Sequence, residues 1–269
     1  MSKVCICFYG LVQRSLKYTI DSIETNILKV LEANNIEYDI YLHTYDASYC
    51  YAKRNNEINV PVDINDYKLL HPKLHIIESC DKIDNLFTYE KYCARFNNNN
   101  NNPLNSGIIF NWLCEIYSIK QVTTLWSSKI DEYNLYLYLR PDLMYATPLP
   151  IKYLQDHLNN NIDKSILFTA PWGKSNGLND FVGIGNYNAI IKWANRIDSF
   201  HEYMQKICFN AENHIAFICD KEGIINIDLP MLFNRIRSTK IRVKESWGDR
   251  DINFCKKNGC DINAKYLHV

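Results

Sequence analysis

The sequence lacks the features that mark several large functional classes. Its 269 residues include only 9 glycines and 8 prolines. Nowhere do they gather into a linker, so a single domain over 1–269 is expected. Net charge is missing too: 30 Lys and Arg balance 30 Asp and Glu. Without a basic run, no nucleic-acid partner is expected. No apolar run approaches the ~18 residues of a membrane helix, and Met1 to Gly10 has neither the charged start nor the cleavage site of a signal peptide. The expectation is a cytoplasmic chain without a membrane span. Cysteine is plentiful, with 10 residues, but no CxxC pair occurs. Reduced, mostly buried thiols and no zinc site follow.

Common catalytic motifs fail on spacing. "GKS" at Gly173 to Ser175 has the core of a phosphate-binding loop, yet the earlier glycine it needs falls at Phe168. His201-Glu202 opens a metalloprotease-like pattern whose second histidine falls at Gln205. Gly10 stands alone after the first apolar segment, so the GxGxxG dinucleotide loop is absent, and no GxSxG elbow appears. The missing glycine-rich loop also counts against a methyltransferase.

What is present is an alternation of strand and helix patterns. "KVCICFYG" reads as a strand stopped by Gly10, and Ser15 is a candidate N-cap. Leu16, Ile20, Ile23, Ile27, Val30 and Leu31 then mark an amphipathic helix. "EYDIYLHTYD" and "KLHIIES" read as further strands. Ile109, Trp112, Leu113, Ile116 and Ile119 mark a second helix, leading into "YNLYLYLRPDLMY", which alternates like a half-buried strand. "SILFTA", "DFVGIG", "IINIDLP" and "KIRVKES" read as later strands, while "YNAIIKWANRI" and "AENHIAFICDKEG" read as helices. Phe96 to Asn102 is low complexity and predicts a solvated Asn-rich loop at 97–102. The fold class expected is α/β: one Rossmann-like domain with an open, mostly parallel central sheet flanked by helices.

In such a sheet, ligands collect at the carboxyl ends of the strands. There this chain places Gln13 and Arg14, then His43, Thr44 and Asp46, and finally Arg140 and Asp142. These residues suit an anion. A nucleotide-sugar donor fits, because negative charge grows on its diphosphate as the sugar leaves. A divalent cation, Mn or Mg, held by Asp142 would neutralise that charge, and Arg14 or Arg140 could contribute.

"CFYGLVQRSLKYTIDSI", "YDIYLHTYD", "YLRPDLMY" and "GLNDFVGIGN", in this order, resemble the GT-A-type glycosyltransferases scattered among bacteria, algae and large DNA viruses. The resemblance runs from Val4 to about Glu222. It implies a GT-A-like fold, with 1–146 as the nucleotide-sugar-binding half and 147–269 as the acceptor-side half. It also implies a hexosyltransferase-type enzyme with a nucleotide-sugar donor such as a UDP-sugar and a glycan or protein acceptor. Gly10, Gln13, Arg14, Thr44, Asp46, Arg140, Asp142 and Asn179 would bind the donor. In these families a DxD element binds the metal-diphosphate. Here the triplet is Arg140-Pro141-Asp142, so either Asp142 alone holds the metal or the arginine replaces it.

Each residue also has a plainer reading. Arg140 and Asp142 could form an ordinary ion pair, His43 could be a satisfied core histidine, and Trp172 and Trp247 could pack rather than face sugar. Glu212 after Asn210 suits a helix N-terminus. An inverting transferase would need a carboxylate base to deprotonate the acceptor hydroxyl, and Asp180 and Glu212 are the two candidates, with inversion and retention both open. The missing first aspartate leaves an alternative: a catalytically inactive module of the same fold that binds nucleotide sugar or glycan.

Overall fold

The computed structural model describes residues 1–52, 55–86, 106–129, 132–206 and 210–267. The Asn-rich stretch at 97–102 lies outside the described residues. In chain order the strands are β1 (Lys3–Phe8), β2 (Glu37–Tyr45), β3 (Tyr49–Ala52), β4 (Glu57–Pro61), β5 (Leu74–Glu78) and β6 (Leu135–Leu139). They continue as β7 (Leu143–Tyr145), β8 (Ile166–Thr169), β9 (Val182–Gly185), β10 (Ile225–Asp228) and β11 (Phe233–Arg235). Seven form one sheet in the order β10-β8-β9-β6-β1-β2-β5. All its neighbouring strands run parallel except β9, which is antiparallel to both β6 and β8. The mostly parallel α/β sheet expected from the sequence is therefore present, and it draws strands from both 1–146 and 147–269.

Both faces of the central strands are buried, because helices cover the sheet on each side. Val4, Ile6 and Phe8 of β1 join Leu135, Leu137 and Leu139 of β6 in one core, with Leu16, Ile23 and Ile27 of the first helical segment. Cys5, Cys7, Tyr136 and Tyr138 point into the other, against Ile119, Trp126 and Trp193. This corrects the half-buried reading of β6. Tyr136 and Tyr138 are both fully buried, and the polar tip of Tyr138 is partnered: its hydroxyl meets Thr123 Oγ1 at 2.5 Å and accepts from Trp126 Nε1 at 3.1 Å. Cys5 and Cys7 share a face, 3.7 Å apart at sulfur, and none of the described cysteines is in a disulfide.

Three local expectations change. Ser15 precedes the helix Leu16–Ile23 but makes no side-chain cap; its hydroxyl donates instead to the Ile236 carbonyl. Residues 47–72, which look merely mixed and polar in sequence, contain the antiparallel β3–β4 hairpin and a 3-10 helix over Ile64–Leu70. "KIRVKES" is not a regular strand: Arg242 makes an isolated bridge to Ile236, and Glu245 is captured by the Arg235 guanidinium at 2.6 and 3.0 Å. Backbone bonds from Arg237 N to the Ile241 carbonyl and from Val243 N to the Arg235 carbonyl hold the segment, and the side-chain ion pair continues the contact beyond them.

Gly185 tests the tightness of the sheet. A Cβ at this position would lie 2.4 Å from the Ile166 carbonyl oxygen of adjacent β8, a backbone atom that cannot swing away. Gly185→Ala is expected to cost about 1–3 kcal/mol, measured by denaturant unfolding. A variant as stable as the parent would mean that β8 and β9 lie further apart than described.

Candidate functional site

The strand order reverses at β1. The chain runs from β1 to β2 and β5 on one side, then returns to place β6 on the other. At such a switch point the connections diverge and leave a crevice at the carboxyl ends. A cleft of about 370 Å³ opens there, lined among others by Tyr9, Gly10, Arg14, Glu115, Arg140 and Asp142. That volume falls within the ~300–1,000 Å³ typical of small-molecule sites.

Gly10 ends β1 with φ of +90°, backbone that L side chains rarely adopt. Its N–H donates to Ser118 Oγ at 2.7 Å, tying the turn to the long helix Ser106–Thr124. Arg14 follows at the end of a short 3-10 turn, and Arg140 and Asp142 occupy the break between β6 and β7. Arg140 donates to both Asp142 oxygens, Nε to Oδ1 at 3.0 Å and Nη2 to Oδ2 at 2.9 Å. Its Nη1 reaches Glu115 Oε2 at 3.2 Å, and its guanidinium lies over the Phe181 ring. Arg14 Nη1 stands 3.6 Å from Asp142 Oδ2.

A second carboxylate braces Arg14 from behind. Glu57, at the start of β4, has a side chain with no exposed surface. It accepts from both Nε and Nη2 of Arg14, and from the N–H and hydroxyl of Ser238 at 2.8 Å each. The β3–β4 hairpin is thereby pinned to the cleft, and its exposed Tyr49 and Tyr51 are part of the cleft lining.

These neighbours divide the acids into two kinds. Burial on its own would raise the Asp142 carboxyl, but Arg140, Arg14 and Arg237 outweigh it and hold it well below the usual carboxylate range. Burial raises the Glu115 carboxyl and Asp180 adds to the rise; against the pull of Arg140 it is still pushed up to about 7. Burial also raises Asp180, and raises Glu212 with Asp180 contributing. Oδ1 of Asp180 and Oε1 of Glu115 are both buried and accept no hydrogen bond from described residues. An acid held ionised beside one pushed up to about 7 is a usual arrangement of catalytic sites.

The other residues named from sequence fall into place unevenly. Gln13 and Thr44 are fully buried and bonded to each other at 2.8 Å, with Gln13 Nε2 donating to the Tyr45 and Ala47 carbonyls. They shape the turn and have no free face toward the cleft. Asp46 is exposed and does not line the cleft, nor do Asn179, Asp180 and Glu212. Asn179 is buried and fixes its own loop, donating to the Trp172 carbonyl and accepting from Phe181 N–H at 3.0 Å each. His43 takes its plainer reading, bonded to Ser118 and Glu78. So does Trp172, buried against Phe181 and Phe233.

A divalent cation at Asp142 does not fit this donor set. Both carboxylate oxygens already accept from Arg140, a second guanidinium stands beside them, and Arg237 is pushed down to about 10 by burial and by the nearby Arg14 and Arg235. A cation here would displace one positive charge and face two more. Among the described residues no group of three or more His, Cys, Asp or Glu could hold a metal ion.

No protein-family model matches the sequence, and no curated protein matches it. Several solved structures are similar in fold. Mouse xyloside xylosyltransferase 1 is 12% identical with a TM-score of 0.39, over 85% of each chain. A glycosyltransferase involved in glycosylating the major capsid of PBCV-1 is 12% identical with a TM-score of 0.36, over 85% of this chain and 82% of that one. Glycosyltransferases thus stand among the similar folds. So does 4-diphosphocytidyl-2C-methyl-D-erythritol synthase from Anaerococcus prevotii, at 8% identity and a TM-score of 0.40 over 95% of each chain. Likeness at this level leaves the functional argument to the residues of the cleft. Among the described residues no helix is long and apolar enough to cross a membrane.

Sequence reading missed Glu115 and Glu57. Glu115 did leave a signal, since it stands three residues after Trp112 and four before Ile119, a charge on the face otherwise read as apolar. Glu57 left none, because its partners are remote in the chain.

Proposed function

We propose that this protein is a glycosyltransferase that moves a sugar from a nucleoside-diphosphate donor to a hydroxyl of a glycan or protein acceptor. The observation that carries the proposal is the meeting of Arg14 and Arg140 on Asp142 at the switch-point cleft. Each guanidinium has five N–H groups. Arg140 uses one on Nε and one on each terminal nitrogen, which leaves further donors on both terminal nitrogens for phosphate oxygens. As the bond from sugar C1 to the diphosphate breaks, its electron pair leaves with the diphosphate. Fixed guanidinium donors stabilise that charge without rearranging.

In this reading the arginine pair does the work expected of a divalent cation, and Asp142 holds the pair in register. Gly10 lets the β1 turn approach the phosphates closely. Asp180 and Glu212 are both raised by burial but neither lines the cleft, so the acceptor base is assigned to neither of them.

Incubation with a panel of UDP-, GDP- and CDP-sugars should raise the unfolding temperature with at least one donor and release its nucleoside diphosphate. With a chelator present, the rate should stay within about twofold, because no metal carries the leaving-group charge. Loss of turnover on chelation, restored by Mn, would overturn the arginine assignment. Donor binding without turnover under any condition would select the inactive binding module.

A further inference from the structure

We propose that Glu115 reads the sugar of the donor, accepting a hydrogen bond from a hydroxyl of the group being transferred. The assignment rests on the nucleotide-sugar reading above and adds a specificity residue that the strand-end residues do not supply. Three observations carry it. First, Glu115 lines the cleft although it comes from a different element, the middle of the helix Ser106–Thr124. Second, its Oε2 is 3.2 Å from Nη1 of Arg140, the guanidinium assigned to the diphosphate. The sugar is joined to the diphosphate through a single oxygen, so a group one ion pair away from the phosphates is within reach of a ring attached to them, and comparing free diphosphate with nucleotide sugar separates the sugar from the ribose at the other end. Third, a carboxylate can accept about four hydrogen bonds, and Oε1 is buried with none from described residues. An unsatisfied buried acceptor is costly, and a sugar hydroxyl donating to this carboxylate would relieve that cost.

The charge state of Glu115 is set by what surrounds it. Tyr9 faces it from the end of β1, Arg140 and Asp142 from the end of β6, Asp180 from the turn before β9, and Arg196 from the turn after the helix Tyr187–Ala194. Burial, with Asp180 adding, pushes Glu115 up to about 7, so the acid is partly protonated at neutral pH. Once ionised it becomes a pure acceptor with charge-assisted strength. Recognition of the sugar should therefore strengthen as pH rises through about 7.

The experiment compares nucleoside diphosphate with nucleotide sugar on the full chain. Titrations use UDP against UDP-glucose, UDP-galactose and UDP-N-acetylglucosamine, and GDP against GDP-mannose, for the wild type, Glu115→Gln and Glu115→Asp. The expected result is that Glu115→Gln binds the free diphosphate within about twofold of wild type while losing roughly tenfold to a hundredfold in affinity for the sugar-bearing donor. The extra affinity that wild type shows for the sugar should fall as pH drops from 8 to 6, and that dependence should vanish in Glu115→Gln. Because the diphosphate reports on the fold and the arginine site, a misfolded variant is recognised at once, and Glu115→Asp then decides the matter through its sugar-to-diphosphate affinity ratio. If the variants lose diphosphate and donor affinity equally, Glu115 merely braces Arg140 and the inference is overturned, with the transferase reading intact. If wild type binds neither ligand, the transferase reading fails and takes this assignment with it.

Discussion

Asp142→Asn is expected to lower stability by about 3 kcal/mol and to reduce sugar transfer by orders of magnitude. Asp142 is 4% exposed and pairs with one guanidinium through both oxygens and with a second at 3.6 Å. Removing one partner of a buried ion pair costs about 3–5 kcal/mol, because the other charge is left buried. The amide can accept from Arg140 through one oxygen only, so the low end applies. Arg140 would then have Glu115 as its one ion-pair partner among the described residues, and the two arginines would no longer be held together on one anion. The catalytic loss follows from that displacement, since misplaced donors stabilise a leaving group poorly.

The pH dependence supplies a check with a definite sign. The folded pKa of Asp142 is depressed, so its contribution is present above the unfolded value near ~3.9 and is lost as pH falls through the folded value. The stability gap between wild type and Asp142→Asn, measured by urea unfolding, should be widest near neutrality and should close progressively in acid below about pH 4. If the variant transfers sugar at the wild-type rate, the Arg140–Asp142 pair is structural only.

Glu57→Ala is expected to have the other large effect, again about 3–5 kcal/mol. The carboxylate has no exposed surface and holds Arg14, the backbone and hydroxyl of Ser238, and the base of the β3–β4 hairpin. Its loss leaves Arg14 with the 3.6 Å contact to Asp142 as its one ion pair among the described residues. Unfolding should therefore be accompanied by early amide exchange in β3 (Tyr49–Ala52) and β4 (Glu57–Pro61), and donor affinity should fall because Arg14 is no longer aimed. Glu57→Gln keeps the shape and some of the hydrogen bonds, so it should recover part of the stability but little of the affinity. Equal recovery of both would show that the charge on Glu57 does not position Arg14.

Much of the fold was legible in the sequence because its signals are local. The three- and four-residue steps from Leu16 to Leu31 state which face of the helix is apolar, and β1, β2, β5, β6, β8, β9 and β10 lie on the apolar segments, although the alternation of "LYLYL" marked a strand without showing that both its faces are covered. The charges at the end of β6 were legible for the same reason: Arg140 and Asp142, directly after a buried strand, interrupt the pattern. The β3–β4 hairpin was not, because a short two-stranded unit outside the main sheet has no continuous apolar face of its own to advertise it.

The tertiary structure alone decided how those charges are used. Whether Asp142 holds a cation or a guanidinium depends on which arginines surround it, and that follows from the reversal of strand order that sets β6 beside β1. Arg14 meets Glu57 across 43 positions of sequence, and Glu57 meets Ser238 across 181. No periodicity spans such separations. Burial then sets the ionisation: the same carboxyl chemistry is held charged at Asp142 by its arginines and pushed toward neutrality at Glu115 by desolvation. Residue type and spacing thus determined where the strands end and that charge gathers there, whereas the pairing and protonation of those charges are properties of the packed fold, in which desolvation and distance to remote partners act together.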